Sequence, residues 1–589
     1  MRLKTPYSET MDKSHPLDGH PDPYWRRDNF INLNGPWDFV MTQSKALPEK
    51  YPEQIIVPFA IETELSGIHR PVSAKDYLHY RKEVEVPDLF VGGSALLRFM
   101  AVDQEADIYI DGELFCSHKG GYVPFSVYID VVKKRFILEV VVHDDTANSN
   151  YARGKQSLQP GGIWYTPTSG IWQSVYLEFV PAEGYFEQCR IQGDFDGRNL
   201  IFDGVFAKEK HHPKVTVYFR GKFVGESFFD EHGHALVDVS ENFHPWAADE
   251  PNLYDLVFED GKDVVHSVTG IRKIENVQLG NKHYLLINNR PTFLNALLDQ
   301  GYWPESGLTP PSVEAMKSDI LFAKSCGFNC LRKHIKIEPR RWYYLCDMLG
   351  VYVMQDMVNG GDRYSPHLIR LAPFLPIQVS DKGSVLGRGS LESREQFKRE
   401  LRDSVSTLYN IPSIVVWTLF NEGWGQFLTK EMFQVLRSYD ATRLIDATSG
   451  WFDKKVGDFR SRHIYFRPIH LINDHQRILS LSEYGGYSMH LKEHSWSSKE
   501  FGYKKFKDKV KFSNALSSLF RKQVGRGIKK HALSIAVYTQ LSDVEEEVNG
   551  LITYDRRIVK INQAELFAIN RQLLSEYKMV YTKAWNQKR

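Results

Sequence analysis

From about residue 276 onward, short apolar β-prone runs alternate with amphipathic helical segments, and this rhythm limits the possible folds more than any other feature of the chain. The strand-like runs are Phe293–Leu298, Asn329–Ile335, Val351–Met357, Ile414–Phe420, Leu444–Ala447, His463–Phe466, Ile478–Glu483 and Leu533–Leu541. Between them, helical periodicity falls at Ser312–Ser325, Pro339–Leu349, Ser393–Tyr409, Lys430–Tyr439 and Asn514–Lys530, with a last segment at Gln563–Tyr577. Eight strands over roughly 300 residues fit a (β/α)8 TIM barrel, although the crossovers after the fifth and sixth strands are weak. Such barrels place their chemistry at the carboxyl ends of the strands.

The 589 residues are too many for one core. Residues 20–180 read as β-structure, with runs such as Ala95–Val102 and Phe136–Val142 broken by turn signals at Asp111-Gly112 and Lys119-Gly120-Gly121. A second β segment at 182–275 has the size of a seven-stranded sandwich. The expected units are 1–181, 182–275 and a barrel from 276 to 589.

Two of the barrel strands end abruptly in glutamate beside glycine: Trp417–Gly423 carries Glu422, and Leu481–Gly486 carries Glu483. A carboxylate at the end of a buried strand is costly without a partner or a task. Two on strands four and seven suggest the carboxyl pair of glycoside hydrolysis, one protonating the leaving oxygen and one attacking or activating water. Glu422 then reads as general acid/base, with Asn421 bonding a substrate hydroxyl. Glu483 reads as a nucleophile whose glycines allow close approach. The plain alternatives are a carboxylate in the first turn of a helix for Glu422 and a salt-bridged rim residue for Glu483. An ionised nucleophile needs donors, and Arg332 and Tyr465 are the candidates. Glu422 should lie in a drier place or near negative charge.

Other polar residues fall at strand ends: Asp299, Gln300, His334, Asp356, His463, Gln540 and Asp543. They suit recognition of sugar hydroxyls better than a metal, since no dense ligand set accompanies them. Asp299, His463 and Gln540 are taken as substrate-binding candidates. Aromatic content is 13%, and loop tryptophans Trp303, Trp424, Trp451 and Trp496 could stack on a pyranose. Trp303 and Trp451 rank first.

A net charge of +1 excludes a global field for nucleic acid or acidic membranes. No run is long enough to span a membrane. The five cysteines form no disulfide framework, and Cys326-x3-Cys330 lacks neighbouring ligands, so buried thiols are expected. The polar, proline-rich stretch Met1–Asn32 has no apolar leader region, which points to a cytoplasmic protein. No cofactor or metal is expected, and homo-oligomerisation is left open.

The chain resembles glycoside hydrolase family 2, the β-galactosidase and β-glucuronidase family, over almost its whole length. The resemblance is carried by Asn32-Leu-Asn-Gly-Pro-Trp37, Gly120-Gly-Tyr-Val-Pro-Phe125, Arg153-Gly-Lys-Gln156, Ser169-Gly-Ile-Trp172, Gly270-Ile-Arg272, Asn421-Glu422 and Ser482-Glu483-Tyr484. It implies a jelly-roll-like sugar-binding β-sandwich, an immunoglobulin-like β-sandwich and a catalytic barrel. It also implies retention of configuration, with Glu422 as acid/base and Glu483 as nucleophile.

Departures from the family bear on substrate. Where glucuronidases carry an Asn-x-Lys element for the sugar carboxylate, this chain has Glu547-Val-Asn549. A neutral terminal β-linked sugar, best a β-galactoside, is therefore expected, with Lys333 or Arg363 as the cations that would serve a uronide instead. Arg332-Lys-His-Ile-Lys336 also departs from the family's Arg-x-x-His pattern. Other readings are a glucuronidase, mannosidase or arabinosidase of the family, a non-catalytic carbohydrate-binding protein on a decayed barrel, or an unrelated barrel enzyme of phosphorylated metabolites. The last would want a Gly-rich phosphate loop, of which Gly485-Gly486 is only a fragment.

Overall fold

The computed structural model describes residues 3–588, apart from 149, 362–363, 366–367, 369–370, 373–377 and 466. Arg363 and the end of the predicted sixth strand, Phe466, lie outside the described residues.

Two antiparallel sheets form the first β-sandwich. One has four strands, including Ser94–Phe99 and Val175–Val180; the other has six, including Gly35–Thr42 and Arg135–His143. Alternating side chains such as Trp37, Phe39, Tyr80, Leu97, Val140 and Leu177 fill the space between them. A second sandwich pairs the three-stranded sheet Gly184–Asp194, Asn199–Lys208 and His234–Asp238 with four strands between Lys214 and Thr269. The strand total of seven agrees with the sequence reading, and Phe186, Phe202, Val217 and Phe258 lie in its core.

The parallel barrel follows. Its strands are Leu294–Asp299, Cys330–Lys333, Tyr352–Asp356, Ile414–Thr418, Leu444–Asp446, Phe459–Ile464, Ile478–Gly485 and Ile535–Thr539. Ladder pairing runs in the order 5-4-3-2-1-8-7-6, so the barrel is nearly closed, with no ladder between the fifth and sixth strands. No helix separates the fifth, sixth and seventh strands among the described residues. Apolar side chains fill the lower barrel, among them Ala296, Cys330, Met354, Val416, Ile478 and Val537. Leu285 and Ile287, from a small three-stranded sheet that the sequence rhythm did not reveal, join this cluster.

Helix starts follow local chemistry. The Ser312 side chain accepts from Ala315 N ahead of Val313–Ser325, and Ser390 accepts from Ser393 N ahead of Leu391–Leu408. The predicted Asn514–Lys530 helix is two α-helical pieces, Lys509–Ser518 and Gly525–His531, joined by a π-helical stretch, Leu519–Val524. The last helix extends to Lys588.

Candidate active site

Glu483 lies within the seventh strand and is buried. Across the barrel, Arg332 of the second strand is fully buried, and each of its five N–H groups has an acceptor. Nε and Nη2 hold Asp356 at 2.9 and 3.0 Å. Nη2 also donates to Asn421 Oδ1 at 2.8 Å, and Nη1 donates to Ser482 O and Glu483 Oε1 at 2.9 and 3.1 Å. Tyr465 donates its hydroxyl to Glu483 Oε2 and stacks on Tyr503, with ring centroids 4.1 Å apart. Burial opposes the charge on Glu483, but His463, Arg332, His334 and the Tyr465 hydroxyl outweigh it and hold the carboxyl well below the usual range. Asp356 is likewise held down at about 2: burial is outweighed by Arg332 and His334.

Glu422 belongs to the loop after the fourth strand, not to a first helical turn; the next helix starts at Thr429. Its φ of +51° is a left-handed conformation that side chains other than glycine seldom adopt. A 2.8 Å bond from its N–H to Ser449 O, on the fifth-strand loop, holds it there. The side chain is 14% exposed, the more open of the two carboxyls. Asn421 Nδ2, next to it, is buried and has no hydrogen-bond partner among the described residues.

His463 stands between the glutamates. It pairs in register with Glu483 on the neighbouring strand. Its Nδ1 lies 2.7 Å from Glu422 Oε1, and its Nε2 lies 2.9 Å from Ser449 Oγ and 3.5 Å from Glu483 Oε1. One donor atom from each of Glu422, His463 and Glu483 lies within 4.8 Å of the other two. This trio could offer a cation one atom each. Glu483 is already matched by Arg332 and Tyr465, however, and nothing in the trio calls for a metal to balance it.

The other expected residues divide. Trp451 turns its ring edge to His463 at 5.4 Å and belongs to the site wall. Asn421, Arg332, Tyr465 and His463 are brought together, with the nitrogens of Arg332 and His463 engaged inside the network. Asp299 is bound by Lys333 Nζ at 2.6 Å and by Gly301 N at 2.9 Å. Lys333 also meets Glu338 at 2.8 Å, which matches its charge internally. Trp303 lies in a separate cleft of about 300 Å3 with Tyr302, Trp496, Glu62 and Glu545, one face covered by Arg556. Gln540 is fully buried and donates to Asn549 Oδ1 at 2.7 Å.

A loop of the first sandwich completes the wall, and sequence reasoning did not place it there. Arg153 and Gly154 donate their N–H groups to Asn359 O, both at 2.9 Å. Trp164 packs on Trp424 with centroids 5.2 Å apart, and Tyr165 donates to Glu547. Lys155 is buried with its ammonium 5.4 Å from the Trp424 ring centre and 5.7 Å from that of Tyr165. Among the described residues it has no hydrogen bond or ion pair. The signal was present in Arg153-Gly-Lys-Gln156, yet nothing local says that this loop reaches a barrel far along the chain.

Residues 277–484 match the family described as glycosyl hydrolases family 2, TIM barrel domain. The matched segment is most of the barrel and contains both Glu422 and Glu483, so the chain is similar to glycoside hydrolase family 2 over that segment. It is 24% identical over 390 residues to a β-galactosidase of Thermoanaerobacterium thermosulfurigenes, covering 62% of this chain and 49% of that one. A β-glucuronidase of Streptococcus agalactiae is 23% identical over 425 residues, covering 67% and 66%. The chain thus spans about half to two thirds of the length of these curated relatives. Among solved structures, a β-glucuronidase from an uncultured Clostridium sp. superimposes with a TM-score of 0.72 at 18% identity, covering 95% of this chain and 99% of that one. That likeness is one of fold.

Proposed function

We propose that the protein is a retaining exo-β-glycosidase that hydrolyses a terminal neutral sugar, best a β-galactoside. The observation that carries this reading is the short gap between the glutamates, whose donor atoms lie within 4.8 Å. Retaining enzymes hold their carboxyls roughly 5–5.5 Å apart, whereas inverting enzymes leave roughly 6.5–9.5 Å for a water. In the first step Glu422 protonates the glycosidic oxygen while Glu483, kept ionised by Arg332 and Tyr465, attacks the anomeric carbon. In the second, Glu422 takes a proton from water, which displaces the sugar from Glu483. Asn421 Nδ2 has the spare donor for a sugar hydroxyl beside the scissile bond.

Specificity for a neutral sugar is supported by Glu547, a buried acid whose oxygens accept from Tyr165 and, at 2.8 Å, from Asn549. It offers a uronate carboxylate no positive charge. Lys155 favours a second reading. A buried ammonium without an ion pair could hold a uronate carboxylate, and then the β-glucuronide would be the better substrate.

Nitrophenyl β-glycosides test both. The galactoside should exceed the glucuronide by at least about tenfold in kcat/KM, roughly 1.4 kcal/mol in the transition state. The first sugar seen by NMR should be the β-anomer. An α-anomer appearing first rules out retention. Glucuronide preference that disappears in Lys155→Met establishes the second reading, and no turnover of any glycoside leaves a binding protein.

A further inference from the structure

We propose that His463 couples the two carboxylates: it is the positioning residue through which the charge on Glu483 sets the protonation of Glu422. The inference rests on the retaining reading above and goes beyond it by assigning how the acid becomes a base between the two steps.

The geometry is specific to this ring. Strand register sets His463 beside Glu483, and the same imidazole reaches Glu422 at 2.7 Å through Nδ1. Its other nitrogen faces Ser449 Oγ and Glu483 Oε1. The side chain is fully buried, so water does not replace these partners. Gly450 makes the space: a Cβ there would lie 2.8–2.9 Å from three atoms of the ring. Trp451 closes one side. The charged and titratable groups that act on the ring or its partners are Glu422, Glu483, Arg332 behind Glu483, His334, the Tyr465 and Tyr503 hydroxyls, and buried Asp446, whose carboxyl burial raises to about 6 against the Ser461 hydrogen bond.

A neutral imidazole has one N–H and one acceptor nitrogen. When Glu422 carries its proton, that O–H donates to Nδ1, and the ring proton sits on Nε2, toward Ser449 and Glu483. When Glu422 is ionised, the same single ring proton sits on Nδ1 and donates to it, while Nε2 accepts from the Ser449 hydroxyl. A negative Glu483 close to Nε2 favours retaining the proton shared by Glu422 and His463. In glycosylation this proton leaves through Glu422 to the departing oxygen, the glycosidic C–O bond breaks, and a bond forms from Glu483 to the anomeric carbon. Glu483 is then a neutral ester, and the field that held the proton is gone. Glu422 stays ionised until it takes a proton from the attacking water. As the ester breaks, Glu483 recovers its charge and the pair its proton, so the cycle balances.

The test uses His463→Asn, which keeps a hydrogen-bonding amide but has no exchangeable ring proton. We expect kcat/KM to fall about tenfold or more for glycosides with poor leaving groups and by much less for a dinitrophenyl glycoside, which needs little protonation. The limb of the pH profile that reports the acid/base should shift with it. Equal losses for all leaving groups with an unmoved profile would reduce His463 to packing and overturn the proposal, as would wild-type behaviour. A measurement on the intact enzyme covers a variant that does not fold. With 15N-labelled histidine, the His463 ring signals should change protonation pattern when a 2-fluoro glycoside traps Glu483 as its ester. Unchanged ring signals in a trapped enzyme, with the adduct on Glu483 verified by mass spectrometry, refute the coupling alone. Failure of any adduct to form on Glu483 refutes the retaining reading and the coupling with it.

Discussion

Arg332 neutralises two buried carboxylates with one guanidinium, and its deletion has a calculable outcome. Arg332→Met would leave Asp356 and Glu483 buried without their cation. Breaking a buried pair in this way costs about 3–5 kcal/mol, which urea unfolding at neutral pH should show. The sign with pH follows from the depressed carboxyls. Both contribute stability that is complete above their unfolded values near 4 and is lost as pH falls through their folded values, about 2 for Asp356. Wild type should therefore lose stability from roughly pH 4 downward, and Arg332→Met should lose less there because its carboxyls take up protons earlier. Chemistry separates the glutamates. Glu483→Ala should abolish turnover. Glu422→Ala should keep glycosylation by activated phenols, and azide should rescue it with formation of a β-glycosyl azide. The reverse pattern would exchange the two roles.

Loops bend sharply where the strands deliver these residues. Gly450 has φ +92°, and the ring of His463 occupies the space of its missing side chain. Gly450→Ala should cost about 1–3 kcal/mol of stability from backbone strain, and it should lower activity about a hundredfold by displacing His463. Thermal unfolding and kcat/KM measure the two effects, and an active Gly450→Ala would show that the ring position is uncritical. At this scale the sequence was legible wherever periodicity carries meaning. All eight barrel strands overlap their predicted runs, and Glu422 and Glu483, singled out because a carboxylate closing a buried apolar run is costly without a partner or task, both lie beside His463. Arg332 and Tyr465 followed from the needs of an ionised carboxylate. His463 was expected to touch sugar, because a strand-end histidine does not reveal that both nitrogens are engaged. Trp303 lines a cleft with Tyr302 and Trp496, and a loop tryptophan looks the same in sequence whichever cleft it enters. Tyr503 and Ser449 lie in irregular segments, where no spacing rule points inward.

The whole molecule is joined at polar points as well as apolar ones. Buried Asp347, on a barrel helix, accepts from Tyr24 of the N-terminal stretch and from Ser413 N at 2.9 Å, and its carbonyl accepts from Trp246 Nε1 at 2.9 Å. Burial lifts its carboxyl to about 7 despite these donors. The folded protein then holds a proton that the unfolded chain has lost above about pH 4, so this group makes stability fall as pH rises from 4 through 7. Asp347→Asn should flatten that decline in a series of thermal melts. The site itself crosses the chain more widely still. Tyr165 and Glu547 are 382 residues apart, whereas Tyr465 and Glu483 are separated by only 18. Contacts between distant segments form late, because loop closure must precede them and separate units fold first. During refolding from urea, barrel fluorescence should recover first and glycoside turnover last, with a lag matching the docking of residues 151–169. Activity that returned in step with the fluorescence would mean the barrel works without its roof. A measured delay would make catalysis a clock for the final event of folding.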